Sequence, residues 1–219
     1  MKRYAMRSEI LSVLTGKAVP FGPETSAIGK TARAGPVAVG RLGLEGDEQA
    51  DLSVHGGPDK AIHHYAYDHY PFWRALIAGQ TLLHAPGAFG ENVSTLGMTE
   101  SEVCLGDRFR LGTALVEVSQ GRQPCWKQGH RLSDPTVTAR IVAYRNSGWY
   151  YRVIEPGEVA AGDAIELIAR PHPEWDVERM FGLLIGGDGR DDPAALRALA
   201  GIELLAAPWR QRAARMAQT

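Results

Sequence analysis

The sequence predicts a mostly β fold with some α: a closed or nearly closed barrel, followed by a small three-helix unit. Three observations lead there. Short, partly alternating apolar runs recur up to about Arg170, and Gly-Asp turns (Gly46-Asp47, Gly106-Asp107, Gly162-Asp163) break them up. Closely spaced short strands of this kind bury their edges best by closing on themselves. After Pro171 and Pro173 the spacing of apolar residues changes from two to three and four.

The strands come in order as Ile10 to Leu14, Pro36 to Val39, Ala114 to Val118 and Ala164 to Ile168. Two helices interrupt them. One is expected around Tyr70 to Ala78, with Pro71 in its first turn. The other starts from Asp134 as N-cap with Pro135 behind it and runs to about Arg145. Beyond the proline linker, Val177, Met180, Phe181, Leu184 and Ile185 share one helical face. Asp192-Pro193 opens a second helix carrying Leu196, Leu199 and Ala200. Leu205, Trp209, Ala213 and Met216 stripe a third, which also carries Arg210, Arg212 and Arg215. The expected division is residues 1–170 for the barrel and 171–219 for the helices.

With 219 residues, 44% of them hydrophobic, the chain can bury a substantial core. Its 24 basic and 25 acidic residues nearly cancel, so no nucleic-acid partner is expected and any anion site must be local. No apolar run approaches a membrane span, and residues 1–16 lack the apolar stretch of a signal peptide. Two cysteines are too few for a disulfide framework. A cytoplasmic protein with reduced thiols is the expectation.

Two apparent motifs dissolve on inspection. Gly29-Lys30-Thr31 ends like a phosphate-binding loop, yet Glu24 stands where that loop needs glycine, so the stretch reads as a turn. No GxGxxG occurs, and electrons for any redox chemistry must come from elsewhere. His55, His63, His64 and His69 match no zinc spacing. On a strand His63 and His64 point to opposite faces, so these read as ordinary polar histidines.

Three stretches carry chemistry. In His55-Gly56-Gly57-Pro58-Asp59-Lys60 the paired glycines let the backbone approach an anion, Lys60 adds a charge and His55 a switchable donor. A tight loop with a solvated lysine is the alternative. Phe89-Gly90-Glu91-Asn92 offers an amide suited to a heterocycle edge. In Gly121-Arg122-Gln123-Pro124-Cys125-Trp126-Lys127-Gln128, cationic side chains flank a thiol. Such neighbours favour the thiolate, which attacks electrophiles and binds soft metals. Cys104 has no basic neighbour and reads as a small buried hydrophobe, the alternative for Cys125 as well.

Taken in order, HGGPDKAIHHY, FGENVSTLG, GDRFRLG, GRQPCWK and NSGWYYRVIEPGEVAAGD resemble the MOSC domain over essentially the whole chain. The three C-terminal helices make the sequence similar to the YiiM-like branch, implicated in resistance to 6-N-hydroxylaminopurine. The resemblance implies a barrel related to that of pyruvate kinase, a molybdenum cofactor of the molybdopterin type, and reduction of N-hydroxylated compounds. It implies Cys125 as molybdenum ligand, with Lys127 and His55 beside it in catalysis. His55, Gly56, Gly57, Lys60, Asn92 and Arg122 fall at motif positions around the cofactor. Gly121 stands where proline often precedes the arginine, and Gln128 where leucine often follows the lysine. The expected partners are a small N-hydroxylated substrate and a separate flavin- or NAD(P)H-dependent reductase. The alternative function is a carrier of cofactor or sulfur that uses Cys125 without turnover.

Overall fold

Buried and exposed residues alternate along the first strand, β1 (Arg7–Thr15), as far as Leu11, with Ile10 wholly buried and Ser8 half-buried, and Ser12 to Thr15 are all buried. The structure is a computed structural model that describes residues 6–50 and 56–218. Its further strands are β2 (Val19–Phe21), β3 (Glu24–Ser26), β4 (Thr31–Ala32), β5 (Val37–Gly40), β6 (Gly43–Leu44), β7 (Ile62–His64) and β8 (Val93–Thr95). Then come β9 (Arg108–Leu111), β10 (Ala114–Gly121), β11 (Trp149–Glu155), β12 (Gly157–Val159) and β13 (Ala164–Ala169). The helices are α1 (Tyr70–Leu76), α2 (Trp126–Arg131), α3 (Val137–Tyr144), α4 (Val177–Phe181), α5 (Pro193–Ala200) and α6 (Ala207–Met216).

Seven strands close a barrel in the order β13-β9-β10-β11-β7-β8-β1, and β1 returns to pair with β13. Closure is antiparallel, with Arg7 opposite Glu166 and Glu9 opposite Ala164. β4 extends the sheet beside the far end of β1. A mostly β barrel with C-terminal helices is the fold that the sequence predicts. Gly112 makes the two-residue turn between β9 and β10 possible by taking a φ of +57°.

All eight residues of β10 are buried, because the strand has no solvent face. One side looks into the barrel; on the other lie α4 and α6, where the Ala206 amide donates to the Ser119 carbonyl at 3.0 Å. Buried apolar residues run without a break from Phe109, Val116 and Trp149 in the barrel to Val177, Phe181, Leu196 and Trp209. Each large side chain removed from water contributes about 1.5–3 kcal/mol. Glu117 is buried in β10 and held by Arg108 Nε at 2.8 Å and Arg152 Nη1 at 2.9 Å. Arg152 Nε also binds Asp59 at 2.8 Å, which pins the Pro58–Lys60 turn to the barrel wall.

Several boundaries differ from expectation for local reasons. α3 begins at Val137, because the Asp134 carboxylate binds the Thr136 amide and hydroxyl in a turn of its own. α1 ends at Leu76, two residues early. The Gly29-Lys30-Thr31 stretch does turn, the Lys30 amide donating to the Ile28 carbonyl at 3.0 Å just before β4. Helix α2, directly after Cys125, was not expected at all. The Asp192 cap holds, its carboxylate accepting from the Ala195 amide at 2.8 Å. The helix after it, α6, starts at Ala207, past Leu205.

Candidate functional site

At one end of the barrel the strand ends and the β2–β3 hairpin surround an open cleft of about 600 Å³, its mouth included. β10 delivers Arg122 to its wall, and Pro124 and Cys125 turn the chain away into α2. Cys125 occupies the N-cap position of that helix, and its amide donates to Gln128 Oε1 at 3.3 Å. Gln128 is thus the brace of the cysteine turn. Cys125 Sγ stands 4.0 Å from Arg122 Nη2, so a fixed positive charge lies beside the sulfur.

Four cationic side chains line the cleft, Lys30, Lys60, Arg122 and Lys127, against the carboxylates of Asp47 and Glu48. Lys127 is held away from bulk water by the Thr25 carbonyl at 3.1 Å and Glu24 Oε2 at 2.9 Å. Lys30 is buried and ion-paired to Asp47. Burial pulls its pKa below the usual lysine range, and the Asp47 charge works in the opposite direction. Asp47 also accepts from the Gly16 amide at 2.7 Å and from Asn92 Nδ2 at 2.8 Å.

Of the residues that the sequence singles out, Cys125, Lys127, Arg122, Lys60 and Asn92 line this one cleft. Asn92 spends its amide on the protein: Oδ1 accepts from the His63 amide at 3.0 Å, and Nδ2 donates to the Leu14 carbonyl at 3.1 Å as well as to Asp47. It braces the floor more than it offers a free edge. Gly57 faces a neighbouring hollow with Leu42 and Leu44, and Gly56 is on the wall of neither; Gly57 takes a φ of +94° to start the lysine turn. His55 lies outside the described residues.

Lys30, Asp47, His63 and Tyr150 are parts of the cleft that the sequence did not point to. The only trace of Lys30 was its place in a motif that failed. His63 and His64 do face different surroundings. His64 is in the core, stacked on Trp149 with ring centroids 4.4 Å apart, and burial pushes its pKa down to about 3. His63 lines the cleft, and burial, then the Arg122 charge, pull its pKa down against hydrogen bonds to the backbone at Gly90 and Ser147. Arg122 Nε is buried without a partner among the described residues. Also among the described residues, no three His, Cys, Asp or Glu side chains gather to hold an ion.

A profile of the MOSC domain matches residues 51–166. The chain belongs to the MOSC domain family. Within that family it is YiiM-like. This MOSC protein is 45% identical to "Protein YiiM" of Escherichia coli (strain K12) over 73% of its own length and 72% of that protein's. It superimposes on the crystal structure of YiiM from Geobacillus stearothermophilus with a TM-score of 0.81 and 34% identity, covering 96% of this chain and 99% of the other. It is also 43% identical to a "Reductase" of Gibberella moniliformis (strain M3125 / FGSC 7600), over 71% of this chain but only 28% of that longer protein. No helix among the described residues of the MOSC protein is long and apolar enough to cross a membrane.

Proposed function

We propose that this MOSC protein reduces N-hydroxylated compounds such as hydroxylaminopurines, using a molybdenum cofactor held in the Cys125 cleft. The observation that carries the reading is the pairing of one cleft-lining thiol with four cationic side chains and the Arg122 Nε, buried without a partner among the described residues. A molybdopterin presents a phosphate, sulfur donors and a pterin edge. The residues fit those groups: lysines and arginine for the anionic charge, the orphaned guanidinium nitrogen for a hydrogen bond, and a soft sulfur for the metal.

When bound, the cofactor would supply the two-electron removal of oxygen that no side chain can perform. The balance is R–NH–OH plus two electrons and two protons giving R–NH2 and water. The electrons come from a separate flavin- or NAD(P)H-dependent reductase. Cys125 would hold the metal. Arg122, fixed by its main-chain amide on the Gly148 carbonyl at 3.0 Å, would keep positive charge against the sulfur. Lys127, pinned between Glu24 and Thr25, is a stationary cation that can orient a hydroxyl group. The "Reductase" relative and the YiiM likeness support this class of activity.

The test is protein purified from a molybdenum-replete host, assayed for molybdenum content and for turnover of 6-N-hydroxylaminopurine with a chemical reductant. Bound molybdenum and many substrate equivalents reduced per chain are expected. Molybdenum with a single equivalent reduced would mark a carrier instead, and protein without molybdenum would sink the reading.

A further inference from the structure

Behind Cys125 lies a second cleft, about 890 Å³ with its mouth, between the cysteine turn and α6. Its wall includes Lys60, Gln120, Cys125, Tyr150, Arg212 and Arg215. We infer that this cleft is the substrate site and binds a phosphate through Arg212 and Arg215, so that N-hydroxylated nucleotides are bound more tightly than the free bases. The inference rests on the reductase reading above and gives its substrate class.

Charge is the first argument. Three cations line the cleft, and among the described residues no carboxylate lines it. Arg212 and Arg215 are three residues apart on α6, so both project from one side of the helix. Arg212 is set in place by its Nε donating to the Leu184 carbonyl at 2.8 Å. Neither its terminal nitrogens nor the Arg215 side chain has an ion-paired or hydrogen-bonded partner among the described residues. Two neighbouring guanidinium groups, one of them pre-positioned, suit a phosphate better than a single carboxylate.

The second argument is independent of charge. Gln120 lies on β10 at 2% exposure, and its Nε2 donates to the Gly121 carbonyl at 3.2 Å. Its Oε1 is buried with no partner among the described residues. A buried orphan acceptor on a cleft wall calls for a donor from a ligand, and an exocyclic amino group or ring N–H of a nucleobase provides one. Cys125, Lys60 and Tyr150 line both clefts. A nucleotide with its phosphate on α6 and its base at Gln120 would therefore meet the cofactor cleft at the same sulfur-bearing wall. The cleft's size is that of sites for small organic ligands, ~300–1,000 Å³.

Equilibrium binding to the full chain tests this without any need for turnover, with adenosine 5′-monophosphate, adenosine and inorganic phosphate as probes. The monophosphate should bind at least about tenfold more tightly than adenosine, and more tightly than phosphate alone. Arg215→Glu, at an exposed position, and Arg212→Gln should each cut monophosphate affinity about tenfold while adenosine binding and molybdenum content hold. A merely structural role for either arginine would not tell the two probes apart. Equal affinity for monophosphate and adenosine, or for monophosphate and phosphate, would overturn the inference. So would molybdenum lost from the arginine variants, which would assign the pair to the cofactor. Nucleotide selectivity in a chain that never holds molybdenum would keep the phosphate site and end the reductase reading; the reverse outcome would do the opposite.

Discussion

A β-carbon at Gly121 would stand 2.8 Å from Cη2 of Trp209, so the strand leading to the cysteine turn and helix α6 touch with no room to spare. A glycine fits at this position because the Trp209 indole occupies the space a side chain would need. Gly121→Ala must displace a buried ring or the strand itself, at a cost of about 1–3 kcal/mol. Trp209→Phe in the same chain should relieve part of that cost. Thermal unfolding of the two single variants and the double variant checks it, and strictly additive losses would show that the two residues are not in conflict.

The two thiols should behave oppositely. Cys104 is buried, and burial, then the Asp107 charge, raise its pKa to about 11, so it is a neutral packing group at physiological pH. Cys104→Ser should cost about 1–2 kcal/mol of stability and leave molybdenum content unchanged. Cys125→Ser should leave the melting temperature close to wild type and remove both molybdenum and N-hydroxyl reduction. Metal retained in Cys125→Ser would mean that the sulfur is not its ligand.

Acid should destabilise the fold through His64. In the unfolded chain its imidazole takes a proton below a pH of about 6.5, whereas burial keeps the folded imidazole neutral down to about 3. Protons therefore favour the unfolded state throughout that window. The loss from this one group is about 1.4 kcal/mol per pH unit as pH falls from 6.5 towards 3. Denaturant unfolding of wild type and His64→Gln between pH 7.5 and 4.5 should show a shallower decline in the variant. Parallel declines would place the acid sensitivity elsewhere.

His69 has the opposite sign. Burial alone would depress its pKa, but its hydrogen bond to Glu100, 2.6 Å long, and that carboxylate's charge outweigh the burial and leave the pKa raised. A raised folded value means that the stabilisation is complete below the unfolded pKa of about 6.5 and is lost as pH rises through the folded one. The stability advantage of wild type over His69→Gln should then be greatest near pH 6 and shrink towards pH 9. An advantage that does not vary with pH would show a pair bound without charge.

What could be read from sequence was what repeats locally. β10 and β13 announced themselves by alternation, and α5 by Asp192 and Pro193, because those features act within a few residues. α2 could not be read that way: its six residues include Gly129 and carry no apolar stripe, and its N-cap is a cysteine. The thiol, Arg122 and Lys127 of the cleft were legible because both cations lie within three residues of Cys125. The Lys30–Asp47 pair was not. It joins residues 17 apart in the chain, and only the closed barrel gives the two a common buried place. Removing one member, as in Asp47→Ala, leaves a lysine stranded in that place.

Closure between Arg7 and Glu166 also bears on how the chain is made. During synthesis β1 leaves the ribosome early and must wait for β13, about ten seconds or more later at ~5–20 residues per second. Over that interval the growing sheet has raw edges on β1 and β9 that can pair with any other nascent strand nearby. The cysteine turn meanwhile lacks α6 against its back. The wall that carries Cys125 is therefore completed last, once α6 has emerged and closed against β10.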